Sequence, residues 1–253
     1  MLQYLYIGET AITLYNVFLI LGLVLAVVLA MFQRDLYGLR AWKAALAGTV
    51  YIAAGVLLCW VFAVVVDGLV EGRNGNAYST SIDFFGAVLF FPLVIPLLSR
   101  LFSMSARSAL NLCAKSLAVI RIFNRIGCFC AGCCGGRVVT LFGTSVHLPS
   151  RIFGSAGCLL ILVLLLHVES RDSQASLYPL FLVTYCPLRF VQEFMMTFDK
   201  VALGLTIYQY YSMIGFAMGL IAILYGRRRK RRTEESPDAQ PAGEKSPGSA
   251  GAV

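Results

Sequence analysis

The chain carries the segment AITLYNVFLILGLVLAVVLAM at residues 11–31, and no side chain in it is charged. An apolar run of about 20 residues is long enough to cross the hydrocarbon core of a bilayer as a helix. The segment is longer than the apolar core of a signal peptide, and no Lys or Arg precedes it. We therefore expect it to be an uncleaved membrane span.

The composition of the whole chain leads to the same class of protein. Of its 253 residues, 58% are hydrophobic and only 13% are charged, whereas a typical soluble domain has roughly 25% charged residues. These figures exclude a single soluble globular domain, a disulfide-dense miniprotein, a collagen-like repeat and a mainly disordered chain. A polytopic helical membrane protein remains.

Six further apolar segments of similar length follow the first, and together they predict an all-α integral membrane protein with about seven transmembrane helices. The predicted spans are residues 11–31, 44–66, 82–101, 109–129, 151–168, 177–197 and 206–226. The fourth and sixth contain charged residues, so they are the least typical membrane segments of the set. In this interpretation residues 1–226 form one transmembrane domain.

The basic residues between the spans predict the orientation, because Lys and Arg in short loops collect on the cytoplasmic side. One side has Arg34, Arg40, Lys43, Arg100, Arg107, Arg171 and the run Arg227–Arg232. The other side has Arg73, Arg137, Arg151 and Lys200. The first side is richer, so we expect the N-terminus outside the cell and the C-terminus in the cytoplasm.

Residues 227–253 are expected to form a basic, disordered cytoplasmic tail. The net charge of the chain is +8, and six of its 21 basic residues lie in the run that follows the last span. A basic run in that position is typical of a topology anchor facing anionic lipid, and it does not predict a nucleic-acid partner. The part from Thr233 to Val253 is rich in Pro, Gly, Ser, Ala and Glu, a composition that builds no packed core.

Polar and ionisable side chains in the predicted spans are the most informative feature for function. An ionised group costs roughly 3 kcal/mol at the centre of a membrane helix, so each one needs a partner or a wet cavity. In the predicted orientation, polar residues from several spans and loops fall in the outer half of the membrane. These residues are Tyr15, Asp83, Arg125, His147, Arg151, Arg189, Glu193, Gln209 and Ser212.

Three arginines in the fourth and sixth spans predict an anion-binding site. Arg121 and Arg125 are four residues apart, so they share one face of a helix. Arg189 can pair with Glu193 at the same spacing, and Asp83 offsets one more positive charge. The remaining positive charge needs an anion, and a guanidinium suits the phosphate of an outer-leaflet phospholipid. In the alternative interpretation these arginines are structural, bonded to backbone carbonyls or paired within one helix.

The segment RIGCFCAGCCGGR, residues 125–137, is rich in Cys and Gly. Its glycines allow the backbone to turn sharply or to approach a ligand closely. Cys130 and Cys133 form a C-x-x-C pair, but no second such pair exists in the chain, and a zinc site needs four ligands. We expect no metal and no cofactor, and we interpret the cysteines as small, polarisable residues at a tight helix end.

This segment resembles the signature Arg-Ile-Gly-Asn-Phe-x-Asn-Gly-Glu-x-x-Gly-Arg of the bacterial prolipoprotein diacylglyceryl transferases. The matching positions are Arg125, Ile126, Gly127, Phe129, Gly132, Gly136 and Arg137. Cys128, Ala131 and Cys133 stand in place of the two Asn and the Glu. The chain therefore keeps the arginines of the signature and lacks several of its polar residues.

Other elements of the same family occur in the same order along the chain. The matches are Pro149-Ser150, Tyr185 with Arg189-Phe190-x-x-Glu193-Phe194, and Gly204-Leu205-Thr206 with Gln209 and Ser212. Tyr15 occupies the place of a Tyr in the first span of the family. In the family element Pro-Ser-Gln-Leu-Tyr-Glu, Gly154 stands in place of the final Glu. In the third span, Asp83 stands where the family usually has a His-Gly-Gly element.

The resemblance implies a multi-pass protein of the bacterial cell membrane that moves a diacylglyceryl group from phosphatidylglycerol to the lipobox cysteine thiol of a prolipoprotein. Arg125 and Arg189 would bind the departing phosphate, because fixed positive charge in a water-poor cavity stabilises developing negative charge. Glu193 would fix Arg189 by hydrogen bonding. Arg121 or Arg137 would support the two phosphate-binding arginines.

The remaining candidate site residues follow from the same motifs. The thiol proton needs an acceptor, for which Tyr15, His147 and Glu193 are the candidates. The residues predicted to form the substrate-binding surface are Arg121, Arg137, Gly127, Gly132, Gly136, Gln209 and Ser212.

Three other functions fit parts of the sequence. A catalytically inactive relative that binds lipid or lipoprotein is favoured by the replaced signature residues. A membrane redox protein would use Cys130 and Cys133 at the outer surface. A transporter of a small anion would use the positive charge between helices, but it would be expected to show broken helices in a repeat arrangement, and the sequence shows no such repeat.

Overall fold

The computed structural model describes residues 4–7, 10–70, 83–132, 136–141, 144–196 and 200–234. Seven α-helices dominate this part of the chain, which confirms the predicted all-α architecture. They are α1 (Leu14–Phe32), α2 (Ala41–Val70), α3 (Phe85–Ser99), α4 (Ala106–Cys130), α5 (Ser150–Arg171), α6 (Leu177–Glu193) and α7 (Ile207–Glu234). Short 3-10 turns at Arg34–Tyr37 and Arg100–Phe102 follow α1 and α3.

The ends of two helices differ from the predicted spans in an informative way. Helix α6 ends at Glu193 rather than at residue 197, because the chain turns there and Met196 forms a β-bridge with Gly136. Helix α7 continues through the basic run to Glu234. Residues 227–234 therefore extend the last helix and do not begin a disordered tail. The rest of the predicted tail, like Arg73, lies outside the described residues.

Five of the helices, α1, α2, α3 with its following turn, α5 and α7, are long and apolar enough to cross a membrane. Helix α6 is shorter, with 17 residues. Beyond its first turn, α4 contains three charged residues, Lys115, Arg121 and Arg125. Helix α4 packs against α1, α3, α5 and α6, so these charges face protein rather than lipid. The chain is thus a multi-pass membrane protein in which α4 is the central helix.

Three short antiparallel hairpins were not predicted. They are β1–β2 (Tyr4–Ile7 with Thr10–Thr13), β3–β4 (Val138–Leu141 with Thr144–His147) and β5–β6 (Lys200–Ala202 with Leu205–Thr206). Each hairpin comes immediately or almost immediately before a helix: α1, α5 and α7 respectively. The hairpins therefore gather at the end of the bundle where those three helices begin.

A buried amide fixes helix α6 relative to α4. The Asn111 side chain accepts a hydrogen bond from the backbone N–H of Leu177 at 2.8 Å and donates one to the Ala175 carbonyl at 2.8 Å. These bonds satisfy backbone groups at the start of α6 that have no partner within the helix. Because both helices then run toward the same end of the bundle, the arginines near their C-terminal ends lie close together.

A buried ion pair occupies the opposite end of the bundle. The Lys115 ammonium group donates to both oxygens of Glu169 at 2.6 Å and to the Tyr37 hydroxyl at 2.7 Å. Gln33 approaches the same carboxylate at 3.5 Å. Burial, together with the negative charge of Glu169, raises the pKa of Tyr37 well above its usual range. The phenol therefore stays neutral, and the cluster joins α4, α5 and the α1–α2 connection.

Helix α3 approaches α2 closely at Gly86, and this contact gives a first prediction. A Cβ at position 86 would lie 2.8 Å from the Cys59 Cα and closer still to the Leu58 carbonyl oxygen. Because backbone atoms cannot move aside, we expect Gly86→Ala to destabilise the protein by roughly 1–3 kcal/mol. Thermal unfolding in detergent measures the effect. Gly226→Ala, at a helical position with no neighbour within 4 Å, is the control, and equal unfolding temperatures for both variants would contradict the prediction.

Candidate functional site

A cavity of about 470 Å³ lies between α1, α2, α3 and α4 and reaches α6 and α7 at one end. The polar side chains that line it are gathered mainly at that end. Those at that end are Tyr15, Asp83, Arg121, Asn124, Arg125, Arg189 and Tyr208, while Tyr51 and Ser116 lie farther along the wall. Away from this end the wall is largely apolar and is formed by Leu19, Leu23, Ile52, Val56, Phe91, Leu112, Leu117 and Ile120 among others. The cavity is therefore amphipathic along its length.

Helix α4 supplies one continuous wall of the cavity. Its lining residues recur every three or four positions from Leu112 to Cys128, which is the spacing of one helix face. Arg121 and Arg125 both lie on this face, as the sequence predicted. The Arg121 guanidinium lies 4.8 Å from the centre of the Phe84 ring and donates to the Asn124 side-chain oxygen at 3.4 Å.

Arg125 has few hydrogen-bond partners among the described residues. Its Nη2 donates to the Gln192 side-chain oxygen at 3.3 Å, and its buried Nε has no hydrogen-bond partner within the described part of the chain. The side chain is only 4% exposed. A buried guanidinium with unused donors at a cavity wall is suited to bind an anion.

Arg189 is held by a second set of contacts. It forms an ion pair with Glu193 one turn later, and both side chains are buried, which confirms the predicted pairing. The Glu193 carboxylate also accepts a hydrogen bond from the Thr206 hydroxyl at 3.2 Å. The guanidinium lies 5.2 Å from the centre of the Tyr208 ring. Glu193 thus fixes Arg189 at the cavity, as expected from the sequence.

The charges at the polar end do not balance. Three guanidiniums, of Arg121, Arg125 and Arg189, face the carboxylate of Glu193, which is paired with Arg189. Asp83 contributes a second carboxylate, and its oxygen accepts a hydrogen bond from the Phe85 backbone at 2.9 Å at the start of α3. No ion pair between the described residues gives Arg121 or Arg125 a carboxylate partner. Among the described residues at this end of the cavity, one net positive charge therefore remains for a ligand.

Tyr15 and Gly127 meet where α1 packs on α4. The Tyr15 hydroxyl accepts a hydrogen bond from the Asn124 amide at 2.9 Å. A Cβ at position 127 would lie 3.1 Å from the Phe18 Cβ and 3.2 Å from the Tyr15 carbonyl oxygen. Gly127 therefore lets α1 come close enough to place Tyr15 in the cavity wall, and this geometry supports a positioning role for Gly127.

The loop after α4 holds three other predicted site residues near the polar end. Gly136 bridges to Met196, and Gly132 has a left-handed backbone with φ of 71°. The backbone N–H of Arg137 donates to the Met195 carbonyl at 2.7 Å, but its side chain is exposed and does not line the cavity. The structure thus does not bring the exposed Arg137 side chain to the cavity wall formed by Arg125 and Arg189.

Gln209 and Ser212 also stay away from the cavity wall. Gln209 accepts a hydrogen bond from the Thr206 backbone N–H at 2.9 Å, while the Thr206 hydroxyl accepts one from the Gln209 N–H at 3.3 Å. This is the reciprocal capping arrangement of a helix start. Ser212 donates to the Tyr208 carbonyl within α7. The geometry gives both residues a structural use, and their contact with substrate remains a prediction.

Two further predictions meet the limits of the described region. His147 lies in β4 opposite Val138, and its side chain is outside what the structure describes. Cys133 and Cys134 are also outside it. Cys128 is buried and lines the cavity at the place of a signature Asn. Among the residues described, no group of three His, Cys, Asp or Glu side chains could hold a metal ion.

The sequence interpretation missed two residues of the site. Asn124 joins Arg121 to Tyr15, and Gln192 contacts Arg125. Each is an amide in a predicted span and is adjacent to a charged residue already singled out, Asn124 to Arg125 and Gln192 to Glu193. That placement is the signal that would have revealed them, since a buried amide needs hydrogen-bond partners.

Comparison with known proteins shows the family. The model of the prolipoprotein diacylglyceryl transferase family matches residues 3–225. The chain belongs to the prolipoprotein diacylglyceryl transferase family. One relative, a phosphatidylglycerol–prolipoprotein diacylglyceryl transferase of Campylobacter curvus, is 28% identical over 171 residues, which cover 63% of this chain and 61% of the relative.

A second relative of this transferase family carries the same name and comes from Clostridium tetani. It is 26% identical over 161 residues, covering 58% of this chain and 65% of the relative. The chain thus matches somewhat less than two thirds of the length of each of these transferases. The family assignment agrees with the resemblance carried by the segment from Arg125 to Arg137.

Proposed function

We propose that this protein transfers a diacylglyceryl group from phosphatidylglycerol to the lipobox cysteine of a prolipoprotein. The observation that carries the proposal is the amphipathic cavity, in which Arg121 and Arg125 have no carboxylate partner among the ion pairs described. A phospholipid matches both parts of the cavity. A small free anion would match the arginines and leave the apolar part of the cavity without a ligand.

The dimensions of the apolar part support a lipid ligand. On α4 this part runs from Leu112 to Arg121, which is about 14 Å at the rise of an α-helix. One leaflet supplies about 15 Å of hydrocarbon, half of a core that is roughly 30 Å thick. A lipid with its phosphate at the arginines therefore fits with an acyl chain along this wall.

The proposed reaction breaks the bond between the lipid glycerol carbon and the phosphate oxygen. The cysteine sulfur of the prolipoprotein forms a new bond to that carbon, and glycerol phosphate leaves with the bonding electrons. Negative charge grows on the departing phosphate, where Arg125 and Arg189 stabilise it. Glu193 keeps Arg189 in place through their ion pair.

The thiol must lose a proton during this step, and the contacts of the three predicted acceptors differ. Glu193 is already bonded to Arg189 and Thr206. Tyr15 lines the cavity, and its hydroxyl oxygen accepts a hydrogen bond from Asn124. Among the acceptors whose side chains are described, Tyr15 is therefore the one that lines the cavity. In the proposed step its hydroxyl oxygen takes the thiol proton, and its own hydroxyl proton passes to the departing phosphate. Its role is part of the proposal.

Location and orientation are also part of the proposal. We place the protein in the cytoplasmic membrane of a bacterium, with the N-terminus outside. The polar end of the cavity then lies toward the outer leaflet, because α1, α3 and α7 begin there. The basic run that extends α7 lies on the cytoplasmic side, as expected for anionic inner-leaflet lipid.

A direct assay tests the activity. Purified protein is mixed with phosphatidylglycerol and a peptide that contains a lipobox cysteine, and the peptide is followed by mass spectrometry. We expect its mass to increase by one diacylglyceryl unit. Unchanged peptide mass, under conditions in which a standard family member modifies it, would reject the activity.

One observation favours a second candidate function, an inactive relative that binds lipid. Cys128 lines the cavity at a position where the signature has Asn, so one polar contact of the signature is replaced beside Arg125. Phosphatidylglycerol that copurifies with the protein, combined with no peptide modification, would support this candidate and contradict transfer.

The apolar wall gives a second prediction. Ser116 lines the cavity on α4, between Leu112 and the arginines. Ser116→Phe fills this part of the wall, so we expect it to lower kcat/KM for long-chain phosphatidylglycerol at least about ten-fold, equal to 1.4 kcal/mol. A short-chain phosphatidylglycerol should be affected much less. Leu160→Phe, on an exposed face of α5, is the control. Equal losses of kcat/KM for both chain lengths would contradict binding of an acyl chain along this apolar wall.

A further inference from the structure

Gln192 connects Arg125 to helix α5. The Gln192 side-chain oxygen accepts a hydrogen bond from the Arg125 guanidinium at 3.3 Å, and its amide nitrogen donates to the Ser150 carbonyl at 2.6 Å. Ser150 is the first residue of α5. The glutamine is only 2% exposed, and both ends of its amide are satisfied. It is therefore fixed in one orientation with its oxygen toward the arginine.

The space that Gln192 occupies exists because residue 154 has no side chain. A Cβ at Gly154 would lie 3.0 Å from the Gln192 Cδ and 3.1 Å from its oxygen. A longer side chain on α5 at this position would project into the space now taken by the glutamine. Gly154 stands where the motif that begins at Pro149-Ser150 ends in Glu. A side chain from α6 thus occupies space beside α5 that is open because residue 154 is glycine.

We propose that Gln192 is a positioning residue for Arg125 and supplies from α6 the hydrogen-bond acceptor that α5 lacks at Gly154. This inference rests on the proposed function, because the arginine is positioned for the lipid phosphate. A neutral amide orients a guanidinium without cancelling its charge. The unpartnered Nε of Arg125 and the remaining Nη hydrogens then stay available to a phosphate.

The first test removes the acceptor and keeps the volume. Gln192→Met is close in size and has no carbonyl oxygen, so we expect the affinity for phosphatidylglycerol to fall at least about ten-fold, as for loss of a hydrogen bond to a charged group. Binding is measured with purified protein in detergent micelles without any peptide. Gln33→Met makes the same change at the other end of the bundle, and we expect its affinity to equal that of the wild type.

The second test moves the amide from α6 to α5. Gly154→Gln alone crowds Gln192, and Gln192→Ala alone leaves Arg125 without its acceptor, so we expect both to weaken lipid binding. The double variant Gly154→Gln/Gln192→Ala places one glutamine in the same space from the other helix. We expect its affinity to return to near the wild-type value, which a purely local packing defect would not explain.

Two results would overturn the inference: wild-type lipid affinity in Gln192→Met, or a double variant that binds no better than Gln192→Ala. A lipid-free measurement separates this outcome from failure of the proposed function. In a double-mutant cycle of Arg125→Met and Gln192→Met, we expect a coupling that corresponds to about 2–4 °C in unfolding temperature. If Arg125 and Gln192 are coupled in a protein that neither binds phosphatidylglycerol nor modifies the peptide, the proposed transferase function alone is rejected. If the two residues are not coupled, the positioning contact is rejected.

Discussion

Arg125→Ala is expected to lower kcat for diacylglyceryl transfer by about a hundred-fold to a thousand-fold. This is the range found when one preorganised hydrogen-bond donor to a developing anion is removed. The physical reason is the position of this guanidinium, which lines the cavity, is buried and has no carboxylate partner among the described ion pairs. Its charge is therefore available to the departing phosphate. The rate of peptide modification, followed by mass spectrometry, measures the effect.

Two further variants show whether the loss is specific to that position. Arg125→Lys keeps the charge and removes the planar fork, so we expect an intermediate loss. Arg107→Ala removes an exposed arginine bonded to the Gln174 carbonyl at the other end of the bundle, and we expect wild-type turnover. If Arg125→Ala modified the peptide within about two-fold of the wild-type rate, the phosphate-binding role of this cavity would be wrong.

Arg189 needs a different design because removing it leaves a buried carboxylate. Arg189→Ala deprives Glu193 of its ion-pair partner, and loss of activity could then come from misfolding. The double variant Arg189→Met/Glu193→Gln removes both charges and keeps most of the volume. We expect it to remain folded in the membrane and to be inactive, which assigns the loss to the missing Arg189–Glu193 pair rather than to misfolding.

Helical spacing made part of this site predictable. The four-residue intervals from Arg121 to Arg125 and from Arg189 to Glu193 place each pair on one helix face, and both arrangements occur in the structure. The number and approximate ends of the helices followed from apolar run length. These features depend on residues close together in the chain, so a single sequence contains the information for them.

Contacts between distant segments were not predictable in the same way. Lys115 falls in the fourth predicted span, where an ionised group needs a partner. Its partner Glu169 lies 54 residues away, just past the predicted end of the fifth span. Gln192 fills a space made by Gly154 on another helix. Helical periodicity shows which face of a helix is buried, but it does not show which other helix covers that face.

Gln209 illustrates the opposite situation, in which the structure shows a local contact that the family motif did not predict. Its spacing from Thr206 was interpreted through the family element, which predicted a substrate contact. The same spacing is also that of a capping box at a helix start, and the structure shows the two reciprocal hydrogen bonds of that arrangement. The local physical interpretation was available from the sequence and describes the observed hydrogen bonds.

Breaking the Lys115–Glu169 ion pair should be strongly destabilising. Both side chains are buried and the charged atoms lie 2.6 Å apart, so removing one partner leaves an uncompensated charge in the protein interior. We expect Glu169→Ala to cost about 3–5 kcal/mol in the free energy of unfolding. Reversible unfolding in mixed detergent measures the change.

The paired replacement distinguishes the cost of an unpaired charge from the value of the bond itself. Lys115→Met/Glu169→Leu removes both charges and keeps apolar volume, so we expect it to be clearly more stable than Glu169→Ala, since a buried pair replaced by apolar groups is often close to neutral. Asp35→Ala breaks the ion pair with Arg34, in which the Asp35 side chain is 87% exposed and the Arg34 side chain 49% exposed. We expect it to change the free energy of unfolding by less than about 0.5 kcal/mol. Equal stability of Glu169→Ala and Asp35→Ala would contradict this prediction. It would mean that the buried Lys115 ammonium group does not need the Glu169 carboxylate, and that the cluster does not hold α4, α5 and the α1–α2 connection together.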